Sequence, residues 1–422
     1  MFSTLRSEIA AVAVADLAQR YGTPTFVYDA AIMLQRLADL AAFDHVRYAQ
    51  KACSNLTVLE LLRRHGALVD AVSAGEIRRA LAAGYVAAGD PPPLVYTADI
   101  FDAEALMLCL SEGVHVNCGS PDMIDQLARG AADRDAAGRQ ITLRINPGFG
   151  HGHSRKTNTG GEGSKHGIWH EQLADSVARA RRGGLTVTGL HMHIGSGTDL
   201  EHLSHVCAAM ETAVAVVGQS VTAISAGGGL PTPYRDEDAA IDLAAYFALW
   251  DAARKRLERR LDHAVRLEIE PGRYLVAESG YLVAEIRAVK RQGPNTFYLL
   301  DAGFNNLARP ILYGAYHPMS IVPGDARPRP EREVIVGGPL CESGDIFTQE
   351  EGGYVATRRL PEAGVGDLLV IECAGAYGAT MGSNYNSRPL AAEVLIEDGQ
   401  PRLIRRRQTF EDLVREEREL QG

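Results

Sequence analysis

Several residues able to do chemistry stand where short, β-rich runs of this chain come to an end. Lys51 closes Arg47-Tyr48-Ala49-Gln50-Lys51-Ala52-Cys53. A lysine at a strand end is ordinarily a solvated charge, but one desolvated in a cleft has a lowered pKa and can form an imine with an aldehyde. In His191-Met192-His193-Ile194-Gly195-Ser196 the two histidines point the same way on a strand. They suit either a metal-binding pair or one imidazole offered as a flat platform to an aromatic ligand. Gly195 and Gly197 let the backbone approach a ligand closely. Gly227-Gly228-Gly229 is a tight turn, or a set of N–H groups for a phosphate. Glu270-Pro271-Gly272-Arg273 is a surface ion pair, or a carboxylate that keeps a heteroaromatic nitrogen protonated so that the ring draws electrons from a carbanion. Further along lie Cys341-Glu342-Ser343-Gly344-Asp345 and Gly375-Ala376-Tyr377-Gly378. Taken alone, a cysteine is more often buried and inert.

The elements that must position these residues alternate. Strand-like runs at His45–Ala49, Leu68–Val72, Leu94–Thr97, Val114–Cys118, Ile141–Ile145, Val187–His191, Val221–Ser225 and Val265–Ile269 are separated by helical patterns such as Leu56–His65, Ala74–Ala83 and Leu243–Leu261. Eight such units predict a (β/α)₈ TIM-type barrel over 44–273, in preference to an open doubly wound sheet. Reactive residues of such barrels sit at the C-terminal strand ends, and phosphate sits after strands seven and eight; the residues above fall at those places. Beyond Arg273 the pattern turns strand-like, at Tyr281–Val289, Thr296–Leu300, Glu333–Val336, Leu368–Cys373 and Glu393–Leu395. That predicts a C-terminal β-sandwich or barrel-like domain over 274–422, with an N-terminal segment, 1–43, packing on it.

The totals narrow the class. Of 422 residues 46% are hydrophobic and 23% charged, a globular balance. The net charge of −10 argues against nucleic acid, which needs clustered Lys and Arg. No apolar run is long enough to span a bilayer. Glu8 and Asp16 interrupt the apolar N-terminus, which reads as a short amphipathic helix and not a secretion signal. Cys53, Cys109, Cys118, Cys207, Cys341 and Cys373 show no CxxC spacing, so free thiols in the cytoplasm are expected.

Taken in order, Tyr48-Ala49-Gln50-Lys51-Ala52, His193-Ile194-Gly195-Ser196, Gly227-Gly228-Gly229, Glu270-Pro271-Gly272-Arg273, Arg309-Pro310-Ile311-Leu312-Tyr313-Gly314, Cys341-Glu342-Ser343-Gly344-Asp345 and Gly375-Ala376-Tyr377 resemble the diaminopimelate decarboxylases, of the alanine-racemase-like fold group of pyridoxal-phosphate enzymes. The resemblance spans nearly the whole chain. It implies that Lys51 carries pyridoxal 5'-phosphate as an imine and that His193 stacks on the ring. Ser196, Gly228, Gly229, Gly272 and Arg273 would hold the phosphate, Glu270 would pair with the ring nitrogen, and Tyr377 would contact cofactor and substrate. Arg273, Arg309, Tyr313 and Glu342 would clamp a substrate with two amino-acid ends, a set suited to carboxylates and a distal ammonium. Lys51 and Cys341 would be the catalytic pair, Cys341 returning a proton after CO₂ leaves. It also implies a homodimer with shared active sites, the product L-lysine, and no metal.

Two features depart from the common family pattern. Cys53 stands where Asn is frequent, and a long Gly- and His-rich loop runs from Pro147 through Gly167; this loop is read as a mobile lid. Three rivals remain at this level. They are a decarboxylase of ornithine, arginine or a carboxylated polyamine, a metal-dependent barrel hydrolase using His191 and His193, and a pyridoxal-phosphate-binding protein without catalysis.

Overall fold

The computed structural model describes residues 2–132, 138–150, 160–193, 199–325 and 329–418. It divides into two compact units, one of Gln35–Pro231 with Ala240–Tyr274, the other of Met1–Leu34 with Thr232–Ala239 and Leu275–Gly422.

The first unit is a closed parallel barrel. Its strands, in order, are His45–Ala49, Leu68–Ala71, Leu94–Ala98, His115–Cys118, Gln140–Asn146, Thr186–His191, Ala223–Ser225 and Arg266–Ile269. Each pairs in parallel with the next, and the last pairs with the first, Glu268 beside His45 and Ile269 beside Val46. These are the eight runs expected. They are buried on both faces, as barrel strands must be when helices cover the outside. The helices dock by apolar stripes, as in Leu56–Arg64, where Val58, Leu59, Leu61 and Leu62 are buried. Asn55, Ser73, Asp102, Asp199 and Asp242 start helices by accepting hydrogen bonds from first-turn N–H groups. Short strand-to-helix turns of this kind leave the strand ends free to carry function.

Alternation along the first strand puts Arg47 inside the barrel, 1% exposed, where its guanidinium meets Glu268 at 2.9 Å and the Pro92 carbonyl at 2.8 Å. The second unit is a sheet in which Gly280–Gln292 is the longest strand, with Asn295–Leu300 and Leu368–Ile371 antiparallel to it. Thr25–Asp29 lies between Gly280–Gln292 and Ala392–Glu397, parallel to the latter. Ile9, Val14, Leu17, Val27, Tyr281, Val283, Val370, Val394 and Ile396 form its core. The N-terminus departs from the helix expected over its first residues. Glu8–Ile9 and Val12–Ala13 form a tight hairpin with Ala10 and Ala11 at positive φ, and the helix begins at Val14. Burial of Ile9, 1% exposed, outweighs local helix preference there.

Replacing Arg47 by Met should strand the Glu268 carboxylate and cost about 3–5 kcal/mol in urea unfolding. Arg47→Met with Glu268→Leu should recover most of that loss; a single variant as stable as the wild type would show that water already compensates the pair.

Candidate active site

Three successive strand ends meet at one carboxylate. Glu270 follows the eighth strand and is 8% exposed. One oxygen accepts from His191 Nε2 at 2.7 Å, at the end of the sixth strand, and the other from Ser225 Oγ at 3.0 Å, at the end of the seventh. Burial by itself would raise the Glu270 pKa, but the His191 charge and hydrogen bond, Arg47 and the Ser225 hydroxyl outweigh it and bring it down to about 2. Ser225 Oγ in turn accepts from the Gly227 amide at 3.1 Å. The glycine turn is therefore built into the support of the carboxylate.

His193 sits beside it. Its Nδ1 accepts from the Gly228 amide at 2.8 Å, which leaves Nε2 to carry the proton of a neutral ring. Burial, then the charges of Arg144 and Lys51, push its pKa well below the ordinary value. A neutral, fixed imidazole is the form that a flat aromatic ligand requires of a platform. The two histidines thus face different partners, which does not suit a shared metal, and among the described residues no three His, Cys, Asp or Glu converge on one.

Only glycine fits the turn after strand seven. A Cβ on Gly227 would lie 2.5 Å from the Met192 carbonyl oxygen, and one on Gly228 2.4 Å from that of Glu270. Gly229 adopts φ +98. The Gly227 and Gly228 amides are used internally, and Gly229 N–H is the one of the three with no partner among the described residues. Gly272 packs against Ala49, and Arg273 opens the short helix Arg273–Val276, half-buried. Ser196 lies outside the described residues, as do residues 151–159 of the loop expected to act as a lid.

Lys51 stands on the single turn Gln50–Ala52 after the first strand and is exposed, so the desolvation expected of it is not supplied by the chain itself. Its charge acts on His193, Asp70 and Glu76. Asp70, on the second strand, was not anticipated from sequence. Burial and repulsion from Glu270 raise its pKa well above the usual carboxylate range. Also unanticipated is Asp99, whose carboxylate accepts from His166 Nδ1 at 2.6 Å and the Gly167 amide at 2.8 Å, fixing the returning end of the loop. Cys53 is buried, and its carbonyl accepts from the Tyr48 hydroxyl at 2.9 Å.

In the second unit Arg309 is 5% exposed, and its Nη1 donates to His317 Nε2 at 2.9 Å while the Tyr234 ring lies under the guanidinium. His317 Nδ1 donates to the Glu372 carbonyl, which fixes the accepting tautomer. Arg309 has no carboxylate partner among the described residues, so its charge is available to a ligand. Tyr313, at the end of the same helix, is half-buried. Cys341 and Glu342 are exposed on a rigid turn. Asp345 accepts there from Leu340 and Phe304 amides, both at 2.8 Å, and Asn386 accepts from the Cys341 amide at 2.8 Å. Tyr377 holds φ 57, with Gly375 before it in backbone contact with Val276 and Gly280.

Residues 30–277 match the pyridoxal-dependent decarboxylases, pyridoxal binding domain. A diaminopimelate decarboxylase of Streptomyces coelicolor is 54% identical over 408 residues, 96% of this chain and 92% of that protein. The chain belongs to the diaminopimelate decarboxylase family. A crystal structure of a diaminopimelate decarboxylase superposes with a TM-score of 0.93 at 51% identity, covering 99% of both chains. The diaminopimelate decarboxylase of Helicobacter pylori complexed with L-lysine does so with 0.84 at 30% identity, over 96% of this chain and 99% of that one. As a family member the chain is a pyridoxal-phosphate-dependent carboxy-lyase, and the donor set fits that cofactor. A buried anionic carboxylate, a neutral imidazole and an unengaged amide on a turn only glycine can make are what a protonated pyridine ring with a phosphate needs.

Because the Glu270 pKa is lower in the folded state than its ordinary 4.5, its stabilising contribution is complete above 4.5 and lost as pH falls towards 2. Urea midpoints taken across that window should fall more steeply for the wild type than for Glu270→Gln. Parallel curves would mean that His191 does not hold Glu270 ionised.

Proposed function

We propose that this chain removes the carboxyl group at the D-centre of meso-2,6-diaminopimelate, releasing CO₂ and L-lysine in the last step of lysine biosynthesis. The observation that carries the reading is Glu270, held as an anion by His191 and Ser225 inside the barrel mouth. When bound, pyridoxal phosphate supplies an electron sink that lets a carboxyl group leave an α-carbon as CO₂. A carboxylate at the ring nitrogen favours the full sink that decarboxylation needs, where a cationic partner would favour racemisation.

The chain's own residues divide the remaining work. Lys51 would hold the cofactor covalently through Nζ, buried by what it binds. His193 would fix the ring plane, and Gly229, with Ser196, Gly228, Gly272 and Arg273, would bind the phosphate. Arg309, with Arg273, would grip the distal carboxylate, Glu342 the distal ammonium, and Tyr313 and Tyr377 would close around the substrate. Holding the unreacting end in this way orients the carboxylate that is to leave. A guanidinium without a carboxylate of its own favours this substrate over ornithine or arginine, whose cationic ends it would repel. Cys341 Sγ would deliver the proton that replaces CO₂.

We place Cys341 and Glu342 in the barrel site of a second copy, as a homodimer with shared sites, since their anchored turn exposes both side chains. Six free thiols suit a reducing compartment, and we place the enzyme in the cytoplasm. Among the described residues no helix is long and apolar enough to cross a membrane.

Wild-type protein loaded with pyridoxal phosphate should convert meso-diaminopimelate to equal amounts of CO₂ and L-lysine, and Lys51→Ala should produce neither. Arg309→Gln should lower kcat/KM about 100-fold or more, the worth of a buried charge-assisted contact, while the cofactor's absorbance is kept; an unchanged kcat/KM would remove Arg309 from the clamp. Mixing inactive Lys51→Ala with inactive Cys341→Ala should restore about a quarter of wild-type activity, because half of the dimers formed at random are mixed and each has one intact site. No recovery after subunit exchange would refute shared sites.

A further inference from the structure

The opposite end of the barrel has its own cavity. About 330 Å³ in volume, it opens among residues that precede or begin the strands, Gly89, Gly113, Arg139, Gln140, Thr222 and Arg266 among them, and runs up the interior to Asn117 and Glu270. Nothing in the proposed reaction uses this mouth, because the residues assigned to the reaction follow the other ends of the strands.

Its lining leaves one positive charge unmatched. Arg47, Arg139 and Arg266 border it, and so do the carboxylates of Asp90, Glu268 and Glu270, the last of which is taken up by His191. Arg47 is matched by Glu268 and Arg266 by the exposed Asp90. Arg139 donates only to the carbonyls of Cys109 and Val114 and has no carboxylate partner among the described residues. Arg266 Nε, a donor, is buried without a partner. His115 reports the local field. Its Nε2 meets Thr142 Oγ1 at 2.9 Å, and burial together with the charges of Arg47, Arg139 and Arg266 drives its pKa down to about 3. A neutral imidazole and the hydroxyls of Thr142, Thr188 and Thr222 supply polar groups around the guanidinium that lacks a counter-charge.

We propose that this N-terminal cavity is a second ligand site, for a small oxyanion bearing carboxylate or phosphate oxygens, with Arg139 and Arg266 as its principal cationic contacts. An occupant would sit on the far side of the Glu270 carboxylate from the residues assigned to the cofactor, reached through the open strand-start end. The site does not rest on the identity of the amino-acid substrate.

Isothermal titration of the pyridoxal-phosphate-loaded enzyme with inorganic phosphate and with succinate, at constant ionic strength set by chloride, tests it. The loaded enzyme is used so that the cofactor's own phosphate site is filled. Saturable binding of at least one of the two anions is expected, weakened about tenfold or more in Arg266→Gln and in Arg139→Gln, the loss of one charge-assisted hydrogen bond. The anion that binds more tightly names the source of the ligand. Arg266 is partly exposed and paired only with an exposed Asp90, so its variant should fold, and it decides the matter alone should Arg139→Gln fail to fold. Absence of saturable binding to the wild type, or an Arg266→Gln protein that binds as the wild type does, overturns the proposal.

Discussion

A carboxylate in a barrel interior is costly unless it is paired and hydrogen-bonded, and the arrangement around Glu270 answers that cost from three different strands. His191, Ser225 and Glu270 end strands six, seven and eight. They meet only because those strands are neighbours in parallel register, Leu190 beside Ile224 and Ile224 beside Leu267. The adjacency of these three strands is thus a condition for the ionisation state of one side chain. The same glycine turn that supports Ser225 also fixes His193, so the platform and the charge are set together.

Asp70 shows the other half of this electrostatic design. Two buried carboxyl groups in one barrel are driven in opposite directions, Glu270 down by its partners and Asp70 up by burial and by Glu270 itself. One anion is kept at the end of the eighth strand, and the second is discouraged. Environments that push paired titratable groups apart mark the acid and base positions of many active sites.

Much of this was legible in the residues. The eight barrel strands could be read because strands buried on both faces are dense in Val, Ile and Leu and are separated by capped helices. The places of Lys51, His193 and Glu270 after strands one, six and eight could be read because each closes a β-rich run. The partners of Glu270 were harder. His191 looked like half of a metal pair, since spacing shows that two histidines share a face but not which atoms meet them. Asp70 carried no signal, for one aspartate in an apolar strand is not distinguishable from a tolerated polar residue until burial is known. Thr25–Asp29 was missed as a strand because its partners are remote in sequence, and Met319–Val322 and Arg358–Pro361 were missed as well. The vacant pairing of Arg309 depends on the fold alone.

The place of Thr25–Asp29 in its sheet bears on how the chain is made. Its Tyr28 hydroxyl donates to Glu393 at 2.6 Å, across 365 residues of sequence. The strand therefore leaves the ribosome well before its parallel neighbour does. The barrel strands in between have all their partners before residue 270, so their pairings can be complete while Thr25–Asp29 still waits for that neighbour. Until then a strand of Thr, Phe, Val, Tyr and Asp has an open edge, which is sticky in a crowded cell. Early termination of translation would spare the catalytic barrel's own pairings and leave this edge uncovered, making truncated chains candidates for aggregation and for chaperone capture.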